Sequence, residues 1–319
     1  MEVDTHQVQI SNFGEPERLT LTEISLQTQA PVVRVAFAGV NPIDTKTRAG
    51  IGWAAKENAD KLPWCPGYDV AGELLTADGK GSGQHVCGLI GFPFMGGAYA
   101  EHVSAPQDEW VALPDNVDLR QAAALPLAGL TASQALSRFG DLRDAEEVVV
   151  LGAAGGVGHL VVQLAKQQGA KVTAISRVQN HEWLLALGAD CCVDYGQPGW
   201  QALVAEHASL VIDCVGGEVG LSLVKQLLCG TDVVTLPTVT ADAIIEAGDA
   251  AGCHVTGMLI QPDPARLKQL VTLLADGVIK VAVAATFPLA DANLAHRQVE
   301  TGHTRGKVIL DCRAPATPE

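Results

Sequence analysis

A doubly wound, parallel α/β sheet inserted into a β-rich part is the architecture this sequence predicts. Three observations carry it. The apolar run Val148-Val149-Val150-Leu151 ends in a glycine turn, and a helical period follows at once, with Val157, Leu160, Val161, Leu164 and Ala165 on one face. From about residue 119, strand-like runs alternate with helical ones, the pattern of parallel strands joined by crossover helices. Residues 1–118 and 261–319 are different in texture: strands and turns punctuated by Gly and Pro, with a helix at 264–276.

Taken in order, Val32–Ala38 reads as a strand, and Gly39, Pro42, Gly50, Pro63, Pro66, Gly67 and Gly72 break the chain after it. Glu147–Ala153 is a strand, followed by a helix to about Gln168. Lys171–Ser176 is the next strand, with a helix through Leu187. Cys191–Tyr195 is a short strand. Leu210–Val215 is a strand, followed by the helix Val219–Leu228. Asp232–Leu236 and His254–Ile260 complete the alternation. Pro264–Asp276 is an amphipathic helix stopped by Gly277. The tail 314–319 is low in complexity, and a cleft is expected where the β-rich part meets the inserted domain 119–260.

At 319 residues the chain has room for about two domains. An apolar content of 48% against 18% charged residues makes it globular and not disordered. A net charge of −15 is ill suited to holding nucleic acid through its phosphates, so no nucleic-acid partner is expected. No run of 18 apolar residues is present, so no membrane span is expected, and the acidic start Met1–His6 lacks the order of a signal peptide. The eight cysteines form no Cys-x-x-Cys pair. They read as reduced core thiols of a cytoplasmic protein, with disulfides or metal ligands as the alternatives.

The turn Ala153-Ala154-Gly155-Gly156-Val157-Gly158 lies between strand and helix, where glycines let backbone approach a pyrophosphate and the helix start receives it. Ala153 replaces the first Gly of the common fingerprint, and a plain tight turn is the alternative. The second strand ends in Ser176-Arg177 and not in the acid that grips a ribose 2′-hydroxyl. A hydroxyl and a guanidinium suit a 2′-phosphate, which favours NADPH. Otherwise Arg177 is a solvated cation at a helix entry.

The chain resembles the medium-chain dehydrogenase/reductase superfamily, in its zinc-independent quinone oxidoreductase (zeta-crystallin-like) branch. The resemblance is carried by Gly39-Val40-Asn41-Pro42-Ile43-Asp44, Pro66-Gly67-Tyr68-Asp69-Val70-Ala71-Gly72, Gly96-Gly97-Ala98-Tyr99-Ala100-Glu101 and Gly129-Leu130-Thr131-Ala132. It continues through the glycine turn, Leu187-Gly188-Ala189-Asp190, Asp213-Cys214-Val215-Gly216-Gly217 and Gly302-His303-Thr304-Arg305-Gly306-Lys307. One departure is Gly83-Gln84-His85-Val86, where the family has Gly-Asp-Arg-Val. The resemblance implies a Rossmann domain over 119–260 and a GroES-like catalytic domain over 1–118 and 261–319.

Zinc-dependent members hold their metal with Cys and a Gly-His-Glu segment. The matching positions here are Asn41 and Gly67-Tyr68-Asp69, so no metal is expected. The resemblance further implies that Asn41 and Lys46 face the nicotinamide and that Thr131 sits under it. It implies that Tyr195 lies along the adenosine, and that Val215, Gly216, Pro237 and Gly257 approach the cofactor from late strands. Lys46 could donate to an oxyanion or be a surface cation. Tyr68 could act beside it or be a packed aromatic; Asp69 reads as a turn or capping residue.

The expected activity is hydride transfer from NADPH to a quinone or to the C=C of an α,β-unsaturated carbonyl, with Asn41, Lys46 and Tyr68 as catalytic candidates. Cofactor-site candidates are Asn41, Thr131, Ala154, Gly155, Gly156, Val157, Gly158, Ser176, Arg177, Tyr195, Val215, Gly216, Pro237 and Gly257. The rival from another class is an NADPH-binding protein with a structural or regulatory role. An enoyl-thioester reductase is the enzymatic rival, though no basic patch for a carrier is evident. The apolar run His254–Ile260 falls at the sheet edge, where pairing with a second copy is favoured, so a homodimer is expected.

Overall fold

The computed structural model describes residues 1–94, 96–140, 142 and 147–313; the tail 314–319 lies outside the described residues. Two compact units result: Met1–Leu130 together with the chain from Pro262 onward, and Thr131–Gln261. In chain order the strands are β1 (Glu2–Gln9), β2 (Thr20–Gln27), β3 (Val32–Val40), β4 (Asp69–Leu75), β5 (Gly81–Leu89), β6 (His102–Ser104) and β7 (Trp110–Ala112). Then come β8 (Glu147–Leu151), β9 (Lys171–Ser176), β10 (Cys191–Asp194), β11 (Leu210–Asp213), β12 (Asp232–Thr235) and β13 (His254–Gly257), followed by β14 (Val283–Pro288) and β15 (Lys307–Asp311).

The continuous unit is a six-stranded, wholly parallel sheet in the order β10-β9-β8-β11-β12-β13. The order reverses beside β8, as a doubly wound sheet requires. Its central strands are apolar without alternation because helices cover both faces; Val148, Val149 and Val150 are all 0% exposed. Val149, Leu151, Ile175, Val211 and Val233 share one core cluster. The strands and helices read from the sequence are present, most with ends shorter by a few residues; the helix read over Val219–Leu228 runs instead over Gly217–Val224. The run 254–260 pairs only as far as Gly257.

The discontinuous unit is β-rich. Its main sheet runs β14-β15-β3-β4-β5-β7, with β6 also on β3, and β1 and β2 form a separate hairpin. The β-branched run of β3 sits in the middle, antiparallel to β4 and to β15. Val8, Val35, Val40, Val70, Tyr99, Val308 and Leu310 belong to its core.

Among the helices with no counterpart in the sequence reading, which also include Pro126–Ser137, three stand out: Pro42–Arg48, Ala241–Ala251 and Ala292–Glu300. The first buries Asp44, Thr45, Thr47 and Arg48, polar residues that leave no apolar period. The other two bury mainly Ala, Gly, Ile244 and His296, too small or too polar for the hydrophobic pattern to register.

Candidate functional site

In the parallel sheet, register alone gathers the nucleotide-site candidates. Ile175 pairs with Leu151, Leu151 with Asp213, Asp213 with Thr235, and Thr235 with Gly257. The carboxyl ends of the strands therefore form one row: Ser176 and Gly257 end β9 and β13, and the segments leaving the strands carry Ala154–Gly158, Arg177, Tyr195, Val215-Gly216 and Pro237. That edge is where open α/β sheets take ligands.

The glycine turn is built for close approach. Gly152 adopts φ +78°, and a Cβ on it would meet Val215 at 2.7 Å. A Cβ on Gly158 would lie 2.3 Å from the Gly152 carbonyl oxygen, so the helix Gly158–Gln167 starts in backbone contact with the turn. Gly155 donates to Gly152 O at 3.0 Å. The amides of Ala154, Gly156, Val157 and Gly158 meet no acceptor among the described residues. Free amides and the positive end of a ten-residue helix are the groups a pyrophosphate requires. Behind them His159, 0% exposed, bonds Gly155 O through Nδ1 at 2.9 Å and stacks on Trp183.

Arg177 follows β9 and is brought against Tyr195, after β10. Its Nε donates to the Tyr195 hydroxyl at 2.7 Å, with the guanidinium 5.9 Å from the ring centroid. Ser176 is buried and its hydroxyl donates to Arg177 O. Asp194 stands opposite Ser176 in the ladder, an acid that reading the second strand alone does not reveal. Its Oδ1 accepts from Gly196 N–H at 2.9 Å.

Asp213, 1% exposed, organises the neighbouring segment. Oδ1 accepts from the amides of Val215 (2.9 Å) and Gly216 (2.7 Å), while Oδ2 accepts from the Thr235 hydroxyl at 3.0 Å. Gly216 has φ +67°, and a Cβ there would meet the Thr240 hydroxyl at 2.2 Å. The role of Asp213 went unread, although an acid at a strand end before Cys-Val-Gly-Gly is its signal. Thr131 is buried within the helix Pro126–Ser137. Pro237 and Gly257 are half-buried.

In the β-rich unit Asn41 caps the helix Pro42–Arg48, and the Asp44 carboxylate reaches back to its amide at 2.8 Å. The Asn41 side chain turns the other way. Its Nδ2 donates to Asp69 Oδ2 at 2.8 Å and its Oδ1 accepts from the Lys307 ammonium. Lys307 also lies 3.4 Å from Asp69 Oδ2, and Asp69 Oδ1 accepts from Leu127 N–H at 2.8 Å. Asp69 thus caps a helix distant in sequence while holding Asn41. The sequence reading missed Lys307, whose place beside Asn41 depends on β15 lying against β3.

A second buried chain leads from Asp44. Tyr99 donates to Asp44 Oδ2 at 3.3 Å and meets His296 Nε2 at 3.1 Å. Burial pushes the Asp44 carboxyl up to about 7 and the His296 imidazole down to about 3. Asp44 Oδ1 and His296 Nδ1 are buried without a partner among the described residues.

Lys46 is half-buried on the same helix; burial lowers its ammonium's pKa, and no ion pair holds it among the described residues. Tyr68 is 0% exposed, packs edge-on against Phe92, and donates to Pro93 O at 3.2 Å. Burial raises its phenol's pKa, so it sits as a packed aromatic with its hydroxyl engaged.

Among the described residues no group of three or more His, Cys, Asp or Glu could hold a metal ion. All eight cysteines are free thiols, and Cys65, Cys87, Cys253 and Cys312 are at most partly accessible. Cys191 and Cys229 are exposed, which corrects their reading as core residues: Cys191 opens the edge strand β10. No described helix is long and apolar enough to cross a membrane.

The chain matches the alcohol dehydrogenase GroES-like domain over 28–115 and the zinc-binding dehydrogenase domain over 187–310. It is 34% identical to the quinone oxidoreductase from Coxiella burnetii, with a TM-score of 0.90 over 98% of this chain and 100% of that one. It is 33% identical to 2-methylene-furan-3-one reductase of Solanum lycopersicum, over 88% of this chain and 71% of the relative. The Escherichia coli quinone oxidoreductase complexed with NADPH is 26% identical, with a TM-score of 0.81 over 96% of this chain and 99% of that one.

Proposed function

The chain belongs to the medium-chain dehydrogenase/reductase superfamily, in its quinone oxidoreductase branch, and on that premise we propose an NADPH-dependent reductase of quinones or α,β-unsaturated carbonyls. The relatives named for quinone and furanone reduction support the reaction class. The single observation that carries the cofactor choice is Arg177, steadied by the Tyr195 hydroxyl where an NAD-dependent fold would place an acid.

When bound, the dihydronicotinamide supplies a hydride. The amides of Ala154, Gly156, Val157 and Gly158 receive the pyrophosphate. Arg177 takes the 2′-phosphate by charge-assisted hydrogen bonds, and Ser176, proposed beside it, must turn its hydroxyl away from Arg177 O to join. Asp213 holds Val215 and Gly216 in the shape that lets backbone lie along the cofactor. Asn41 and Lys46 serve the reacting end. Lys46 Nζ donates to the acceptor's carbonyl oxygen, and its lowered pKa suits it to give up that proton. Tyr68 supports the Phe92-Pro93 segment. Zinc-free chemistry is supported by the donor set, since the Asn41 carboxamide is engaged by Lys307 and Asp69. We also assign β13, one of the two edge strands of the parallel sheet, to pairing with a second copy.

The test is steady oxidation of NADPH or NADH with 1,4-benzoquinone and with but-3-en-2-one. NADPH is expected to give at least about a tenfold higher kcat/KM, the worth of one charge-assisted contact. Equal use of NADH would remove the assignment of Arg177. No turnover with either acceptor, despite NADPH binding, would favour a regulatory role.

A further inference from the structure

Lys307 is the most buried lysine of the β-rich unit, at 4% exposure, and every contact recorded for its ammonium is to Asn41 or Asp69. An ammonium only donates hydrogen bonds and a carboxylate only accepts them. A side-chain amide placed between the two has one allowed orientation: oxygen toward Lys307, nitrogen toward Asp69. Between neutral groups that can both donate and accept, either orientation of an amide can be satisfied, whereas these two charges leave one. A buried ion pair is a weak source of stability, and apolar side chains of the same volume would serve packing as well.

We infer that Lys307 is a positioning residue: it fixes the carboxamide of Asn41 so that the group presented by Asn41 is an N–H donor. One N–H of Nδ2 is taken by Asp69, and the second, on a residue only 1% exposed, meets no other acceptor among the described residues and is the donor offered to an oxygen of the reacting molecules. The ammonium on Oδ1 also draws charge from the amide and strengthens that donor. Asp69 is itself fixed by the Leu127 amide, so the whole set hangs from the start of the helix Pro126–Ser137. The inference rests on the reading of Asn41 as a group of the reacting end.

The experiment compares Lys307→Met, Asn41→Ala and their combination, with Lys307→Met/Asp69→Asn as a pair that leaves no unpaired buried charge if the single change fails to fold. Each is assayed with NADPH and 1,4-benzoquinone, and each apoprotein is melted. Lys307→Met, or the neutral pair, is expected to lower kcat about 10²-fold, the scale of a misplaced reacting group, with KM changed by less than about threefold. Adding Asn41→Ala should lower kcat no further. The melting midpoints of the apoproteins should likewise be non-additive for positions 307 and 41. Lys307→Arg, which keeps a donor for Oδ1, should recover part of kcat. Multiplying effects, additive midpoints, or an unchanged kcat in Lys307→Met would overturn the inference while leaving Asn41 in its role if Asn41→Ala alone is slow. If Asn41→Ala alone keeps full kcat, the reading of Asn41 falls and the positioning role with it.

Discussion

Side chains placed at Gly155 and at Gly158 are expected to fail in different ways. A Cβ on Gly158 would sit 2.3 Å from Gly152 O and 2.8 Å from Ala153 Cα, both backbone atoms. Turn and helix must then separate by about 1 Å, and overpacking of this kind costs roughly 1–3 kcal/mol. Up to about 1 kcal/mol returns through the better helix propensity of Ala. Gly158→Ala should therefore melt several degrees lower, at about 2–4 °C per kcal/mol. A Cβ on Gly155 meets only Gly152 O, at 3.3 Å, and the residue lies outside the left-handed region. The fold should tolerate Gly155→Val, but the side chain would stand where phosphate meets the turn. Losing two charge-assisted hydrogen bonds, about 1.5–3 kcal/mol each, weakens binding by at least about 10²-fold. The assay is thermal melting with and without NADPH. At a hundred times its Kd, NADPH adds about 2.7 kcal/mol to the parent. Gly155→Val should melt like the parent without NADPH and gain nothing from it. A persisting rise in folded Gly155→Val would show that the turn is not the cofactor site.

Four further outcomes are expected. Arg177→Asp should weaken NADPH at least about tenfold in direct titration and NADH much less; equal losses would dismiss a 2′-phosphate contact. Lys46→Met should remove the alkaline fall in kcat that sets in below the ordinary lysine pKa of 10.5, because burial lowers the value for Lys46; an unchanged alkaline limb would exclude Lys46 as proton donor. Asp44 is raised from 3.8 to about 7, so the native state holds a proton that the unfolded state releases, and stability from this group falls as pH rises across that window. Asp44→Asn should abolish that component in melts run from pH 4 to 8. His296, lowered from 6.5 to about 3, acts in the opposite sense, so the parent-minus-variant difference is the readout; a flat difference contradicts the burial argument. Light scattering at micromolar concentration should give the mass of a dimer, and a charged pair placed at Val255 and Gly257 of β13 should give a monomer; a parent of monomer mass ends the edge-pairing idea.

The parallel sheet was legible because its strands are apolar and its turns are Gly-rich, so Val148–Leu151 and Lys171–Ser176 announce themselves. The nucleotide edge was legible because each candidate follows a strand, and register then does the gathering. The β-rich unit was read less well. Its helix Pro42–Arg48 buries an acid, two threonines and an arginine, so no apolar stripe marks it. Asp69 was legible as a turn or capping residue, but its hold on Asn41 escaped, and Lys307 with it, because these residues meet only through strand pairing between distant segments. Asp213 opens the Asp-Cys-Val-Gly-Gly motif, but only the hydrogen bonds of its two oxygens reveal which groups it holds.

The insertion of one unit within the other has a consequence for synthesis. Residues 131–261 form a continuous stretch, so every strand of the parallel sheet has its neighbours once Gly257 has left the ribosome. The β-rich unit must wait. Val40 pairs with Val308, so β3 keeps an open edge while more than two hundred residues are added. Arg48, almost wholly buried in the finished protein, donates to Gly14 O and pairs with Glu300, which is made late in translation. Until then the nascent chain carries an unpaired apolar strand and a guanidinium without its carboxylate, the condition that invites edge-to-edge association. Slow codons placed between 262 and 307 would lengthen that exposed interval and should lower soluble yield. Slow codons within 131–261 would lengthen it too, since that whole stretch is made between β3 and β15.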